Sequence, residues 1–317
     1  MMDILWFGIG LVMVLLGANG LVGGASSIAK MLNVPDLVIG LTIVALGTSS
    51  PELVANYFSV MEGKPDIAVG NILGSNIANI LLILGITAII YPVNVQSSTI
   101  WKEIPLCLLA ALVLFVVAND QWLDGSPEGW ISRTDGMVLL GFMAIFMVYT
   151  FEIAKKPTVG IEDVSMMPLW KSILFIAGGL AGLFWGGKFF VDGASSMARS
   201  WGASERVIGL TVVAIGTSLP ELATSVIAAR QKKADIAIGN VVGSNIFNVF
   251  FILGTVSTIK PLPYHAAESN KDAFVMIAAS IALFVATRIF SRNQIGRTEG
   301  VIFAASYGVY LFWLLLF

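Results

Sequence analysis

Shifting the chain by 169 positions lays GTSSPELVANYFSVMEGKPDIAVGNILGSNIANILLILG, residues 47–85, over GTSLPELATSVIAARQKKADIAIGNVVGSNIFNVFFILG, residues 216–254, without a gap. Of the 39 aligned positions, 20 are identical. The match extends upstream through VIGLTIVALG and VIGLTVVAIG, and more faintly to GASSIAK and GASSMAR. Apolar helices alike only in composition do not keep Pro, Glu and Asn in register, so the chain is an internal duplication. Whatever architecture one half adopts, the other adopts too.

The solvent of that architecture follows from composition. The chain is 57% hydrophobic and 12% charged, against about 25% charged in a soluble domain. A helix needs about 20 apolar residues to cross a bilayer. Ten such runs occur, at about 4–29, 37–61, 67–91, 102–119, 134–153, 169–198, 206–229, 236–259, 272–290 and 299–316, joined by connections too short for a soluble domain. The first run lacks the positively charged lead of a signal peptide and takes part in the repeat, so it reads as a retained span. The units are 1–157 and 168–317, with the polar connection 155–168 between them.

Five spans per unit is an odd number, so the second unit enters the membrane from the opposite side. The expected fold is an all-α membrane protein of ten transmembrane helices in two inverted five-helix repeats. The odd-numbered connections carry 11 Lys and Arg and the even-numbered ones six. The positive-inside rule then places both termini outside and the connection between repeats in the cytoplasm. Inverted repeats recur in secondary transporters, whose sites lie near the midplane between the halves.

Glu52 and Glu221 fall deep within the second and seventh spans. An ionised side chain at a helix centre costs roughly 2.5 to 3.5 kcal/mol on insertion scales, so it persists with a partner or a role. No Lys or Arg lies at matching depth in the repeated segment. A protonated glutamate hydrogen-bonded within the bundle is the competing account of a cation site. Pro51 and Pro220 each remove a backbone N–H and crowd the carbonyl four residues earlier, freeing oxygens near Gly47 and Gly216. Thr48 and Ser49 share a helix face with Glu52, and Thr217 and Ser218 share one with Glu221. A proline kink with hydroxyls satisfying local backbone explains one such copy. Two copies, each joined to a glutamate, fit a cation cage better.

The third and eighth spans supply the facing wall. Asn71, Ser75 and Asn79 recur every four positions, as do Asn240, Ser244 and Asn248, beside glycines that permit close helix packing. Packing alone explains such stripes in isolation. Beside a glutamate-bearing helix, Ser75, Asn79, Ser244 and Asn248 read as ligands, while Asn76 and Asn245 point about 100° away and are expected to bind only backbone. One cysteine (Cys107) and one histidine (His265) rule out disulfide frameworks, zinc sites and histidine-based triads. Oxygen donors suit Ca2+, Mg2+, Na+ or K+, and six to eight flexible oxygens suit Ca2+ over octahedral Mg2+. The formal charge of −2 offers no basic face to nucleic acid.

GTSSPEL and GTSLPEL, with GNILGSNIAN and GNVVGSNIFN, strongly resemble the two alpha repeats of the cation/calcium exchanger superfamily, above all prokaryotic Na+/Ca2+ exchangers. Essentially the whole chain takes part in the resemblance. It implies ligation by Thr48, Ser49, Glu52, Ser75 and Asn79 from the first half and by Thr217, Ser218, Glu221, Ser244 and Asn248 from the second. It further implies ligating carbonyls at Ala45 and Ala214. One departure bears on ion number, proton sensitivity and K+ involvement: many relatives carry an acid in one repeat where this chain has Asn79 or Asn248.

The resemblance also implies that the first and sixth spans, with GANGLVGGASS and GGKFFVDGASS, slide against the core and open the site to each side in turn. Lys188 and Asp192, four apart in the sixth span, are spaced to pair. Asp120, Asp124 and Glu128 form an acidic loop that reads as solvated. The expected function is Na+/Ca2+ antiport in a prokaryotic inner membrane by a monomer, with Ca2+ and Na+ as substrates, the lipid bilayer as surroundings and no cofactor. Ca2+/H+ or K+-dependent exchange on the same fold is the near alternative. A cation channel is disfavoured by the inverted repeat, and an intramembrane hydrolase by the lack of a catalytic constellation.

Overall fold

A computed structural model describes residues 2–123, 125–126, 128–155, 166–202, 214–290 and 293–316. Asp124, most of the connection between repeats and the first part of the seventh expected span lie outside the described residues. The chain is almost entirely helical. Seven of its described helices are long and apolar enough to cross a membrane, and a bent pair makes an eighth. It is a multi-pass membrane protein.

The two longest helices, α1 (Met2–Leu32) and the later Leu169–Ser200, lie antiparallel with their backbones in contact. A Cβ added at Gly10 would stand 2.4 Å from the Phe190 nitrogen, one at Gly17 2.7 Å from the Gly179 oxygen, and one at Gly24 2.7 Å from the Ser172 oxygen. Gly17, Gly20 and Gly24 of the first motif and Gly186 and Gly193 of the second therefore lie in the seam between these helices, while a Cβ at Gly187 would meet only the Gly216 oxygen, at 3.9 Å. Only backbone without side chains allows so close an approach. Lys188 sits over the Trp185 ring at 5.6 Å, and among the described residues no ion pair joins it to Asp192.

After α1 come α2 (Asp36–Thr48) and α3 (Ser50–Met61), bent by 41°. The break falls at Ser49, with φ −84° and ψ 3°, two residues before Pro51, whose missing N–H ends the regular ladder. Next are α4 (Pro65–Ile90), β1 (Val93–Asn94), α5 (Ser97–Ala118), β2 (Trp130–Ile131) and α6 (Arg133–Ala154). The long Leu169–Ser200 helix is α7. The second half repeats the break: α8 (Ala214–Thr217) stops at Ser218, with φ −90° and ψ 4°, and α9 (Leu219–Arg230) follows with Pro220 in its first turn. Then come α10 (Ala234–Ile259), β3 (Leu262–Pro263), α11 (Ala266–Arg288), β4 (Gln294–Ile295) and α12 (Arg297–Leu316).

The two repeat-related helices α4 and α10 run antiparallel. Gln96, beyond the end of α4, donates to Asp235 at the start of α10 at 2.5 Å. His265, beyond the end of α10, lies 3.4 Å from Asp66 at the start of α4. Strand pairing follows the same exchange, β1 with β4 and β2 with β3. Around this pair the core closes with Leu73, Ile77, Ile80 and Leu84 of α4 against Ile246, Phe250 and Leu253 of α10 and residues of α5, α6, α11 and α12. Outward faces stay apolar, as with Leu16 of α1, Ile145 and Val148 of α6 and Phe312 of α12, which suits contact with lipid.

Candidate cation-binding site

Both helix breaks and the middle of α4 and α10 meet in the core. Ser49, released from the helical ladder by the bend, donates its hydroxyl to Glu221 Oε1 at 3.1 Å. That bond joins the first half's break to the second half's glutamate. Thr48 donates to Asn240 Oδ1 at 3.0 Å, and Asn240 Nδ2 donates to the Glu221 carbonyl at 3.3 Å and to Ser225 Oγ at 3.0 Å. In the first half Asn71 donates to Asn56 Oδ1 at 3.0 Å, and Ser75 reaches Asn71 Oδ1 at 3.5 Å.

Glu52, Ser75, Asn79, Ser218, Glu221, Ser244 and Asn248 are all buried. Among the described residues, Oε2 of Glu52, Oε2 of Glu221, Oδ1 of Asn79, Oδ1 of Asn248 and Oγ of Ser244 have no hydrogen-bond partner. Buried polar atoms are satisfied in the great majority of cases; of the ten such side-chain atoms without a partner among the described residues, these five are acceptor oxygens on expected ligands. Among the described residues, no Lys, Arg or His is buried to neutralise the two carboxylates. Among the described residues no three His, Cys, Asp or Glu cluster as a metal site; the donor set here is two carboxylates with neutral oxygens.

At Asn79 and at Phe247, beside Asn248, the helices widen into π-helical turns, Asn79–Leu84 and Phe247–Leu253. Such turns break the regular stacking of side chains and are frequent at functional sites. The Ala45 carbonyl accepts from Ser49 N at 2.9 Å and lies 3.3 Å from Thr48 Oγ1, whose single proton is also within reach of Asn240 Oδ1. Ala214 opens α8, and Thr217, half-buried, closes it.

Sequence reasoning placed Asn240 on the second polar stripe without giving it a role in the network, and missed Asn56. A signal existed: Asn56 is four residues past Glu52, and Asn240 heads the second polar stripe. It also expected Asn76 and Asn245 to hold only backbone. Instead Asn76 Oδ1 accepts from Asn248 Nδ2 at 3.2 Å and Asn245 Oδ1 from Asn79 Nδ2 at 2.9 Å, while Asn245 also donates to the Asn76 carbonyl.

Comparison with known proteins identifies the family. The family model described as "Sodium/calcium exchanger protein" matches residues 2–152 and 171–316. CaxA of Alkalimonas amylolytica is 40% identical over 303 residues, covering 93% of this chain and 92% of that protein. The sodium/calcium exchanger MaX1 of Methanosarcina acetivorans is 32% identical over 336 residues, covering 96% and 95%. A solved structure of the sodium-calcium exchanger NCX_Mj, soaked with 10 mM Na+ and zero Ca2+, superposes with a TM-score of 0.81 at 34% identity, covering 97% of each chain. This chain is an ion antiporter and belongs to the sodium/calcium exchanger family.

Proposed function

We propose that this antiporter exchanges Na+ for Ca2+ across a prokaryotic inner membrane, holding the ions at Glu52 and Glu221 with the hydroxyl and amide oxygens of Thr48, Ser49, Ser75, Asn79, Thr217, Ser218, Ser244 and Asn248. The observation that carries the reading is the set of five buried, unpartnered oxygens contributed by both halves of the chain. Two carboxylates in a low-dielectric core are costly without a counter-charge. Their charge of −2 balances one Ca2+ or two Na+, and competition for that charge is what couples two ion flows in opposite directions. Carbonyls of Ala45 and Ala214 join the cage when the helix breaks relax.

The same reading takes the chain as ten transmembrane helices in two inverted five-helix repeats, both termini outside, acting as a monomer. The antiparallel course of α4 and α10 and the crossed strand pairs support the inversion. Ca2+ leaves the cell as Na+ runs inward, and α1 with α7 moves as one unit to expose the cage to each side in turn.

The test is 45Ca2+ uptake into proteoliposomes driven by an outward Na+ gradient, for wild type, Glu52→Gln and Glu221→Gln. Uptake that requires internal Na+ and vanishes in both variants is the expected result. Uptake that persists with choline in place of Na+ and follows a pH gradient assigns protons as the coupling ion. A strict requirement for K+ assigns K+-dependent exchange, and single-channel currents overturn antiport altogether.

A further inference from the structure

Asn76 and Asn245 stand outside the proposed ligand set. We propose that they are positioning residues: each clamps the amide nitrogen of the asparagine that the other half contributes to the cage, so that Asn79 and Asn248 present only carbonyl oxygen to the cation. The inference rests on the exchange reading for the identity of the ion and on the hydrogen bonds alone for the amide orientation.

A side-chain amide has a donor end and an acceptor end of nearly equal shape. Turned the wrong way, Asn79 or Asn248 points an N–H2 at a cation. The structure contains the group that decides. The main-chain carbonyl of Asn76 has no proton to give, and it accepts from Asn245 Nδ2 at 3.4 Å. The same nitrogen lies 3.5 Å from Cys107 Sγ. Asn245 Oδ1 is thereby left as the acceptor facing Asn79, whose Nδ2 reaches it at 2.9 Å, and Asn79 Oδ1 remains without a partner among the described residues. The related pair repeats the clamp itself, with Asn248 Nδ2 on Asn76 Oδ1 at 3.2 Å and Asn248 Oδ1 unpartnered among the described residues.

All four asparagines are at most 3% exposed, so water does not compete for these bonds. Both clamps cross between the halves, and the residues exchange under the 169-position shift: 79 with 248, 76 with 245. A carboxylate in either ligand position would need no clamp, since both its ends are oxygen. The clamps are what a neutral amide requires, and they line the cage with oxygens that do not titrate in the physiological range.

The test is a double-mutant cycle on the full chain. Asn245→Leu removes the clamp while keeping similar volume, and Asn79→Asp removes the need for it. Half-saturating Ca2+ and maximal rate are measured in proteoliposomes, and in parallel the Ca2+, Na+ and K+ concentrations giving half-maximal thermal stabilisation in detergent. Leaving a buried amide donor without its partner commonly costs a factor of about ten or more. Asn245→Leu is therefore expected to raise the half-saturating cation concentration at least about tenfold with the maximal rate within about twofold. In the Asn79→Asp background the same change is expected to shift it by less than about twofold. An equal loss in both backgrounds means a merely structural role and overturns the proposal, as does an unchanged half-saturation in Asn245→Leu. Should Asn245→Leu fail to elute as a folded monodisperse species, Asn76→Leu with Asn248→Asp runs the same cycle on the related pair. A wild type that is stabilised by a cation yet shows no Na+/Ca2+ exchange sinks the exchange reading, and the cycle is then scored on that cation.

Discussion

At the scale of single residues the two halves use one plan with different precision. Asn240 holds Thr48, the Glu221 carbonyl and Ser225 in a fully buried setting. Its repeat partner Asn71 is half-buried, and its side chain donates to Asn56 and accepts a long bond from Ser75. Leaving a buried donor or acceptor unsatisfied costs about 1–3 kcal/mol. Asn240→Leu is thus expected to lower the thermal unfolding temperature more than Asn71→Leu, with both measured in the same detergent. Equal losses would mean that Asn240 is not the keystone its bonds imply. Ser49→Ala, which takes away the hydroxyl that donates to Glu221 Oε1, is expected to weaken cation-induced stabilisation about tenfold while leaving the apo protein within a few degrees of wild type.

At the scale of elements, two devices stand out: helix breaks that aim side chains inward and a glycine seam that joins α1 to α7. The breaks at Ser49 and Ser218 share nearly the same dihedrals because Pro51 and Pro220 occupy the same place in each half. The seam makes a prediction of opposite sign at adjacent residues. A Cβ at Gly179 would stand 2.6 Å from the Leu21 nitrogen, whereas one at Gly178 meets nothing within 4 Å. Gly179→Ala is expected to destabilise by about 1–3 kcal/mol through overpacking. Gly178→Ala, on an exposed helix face, is expected to be neutral or stabilising by up to about 1 kcal/mol. Thermal unfolding of the two variants, compared side by side, checks this. Similar effects from both would show that the helices are not held backbone to backbone.

At the scale of the whole molecule, the chain is latched at both ends by crossed contacts. Gln96 with Asp235 and β1 with β4 close one end, and His265 with Asp66 and β2 with β3 close the other. On the proposed orientation, which follows the excess of Lys and Arg in the odd connections, β1 and β4 are cytoplasmic. A membrane-impermeant maleimide is expected to label Glu128→Cys in intact cells and Asn94→Cys only after permeabilisation. Both positions are exposed, and the native Cys107 is buried and silent. The reverse pattern would invert the orientation without disturbing the fold.

The duplication, the membrane as solvent, the two glutamates and their flanking hydroxyls were all legible in the sequence. The physical reason is local: a bilayer leaves so few ways to satisfy a buried Glu, Pro or Asn that its mere presence in an apolar run is informative, and a repeated one doubly so. The second partners were not legible. Helical spacing places Asn76 off the polar stripe of α4, and it does lie off that stripe; only the approach of α10 from that side makes it an acceptor for Asn248. In the same way the glycines of α1 and α7 announce close packing in the sequence, but not against what. Sequence by itself determined which residues must find a use inside the membrane. Which half each of them serves was decided by tertiary structure, because the bonds that pair these amides join residues about 170 positions apart and exist only when the two copies of one motif are pressed together.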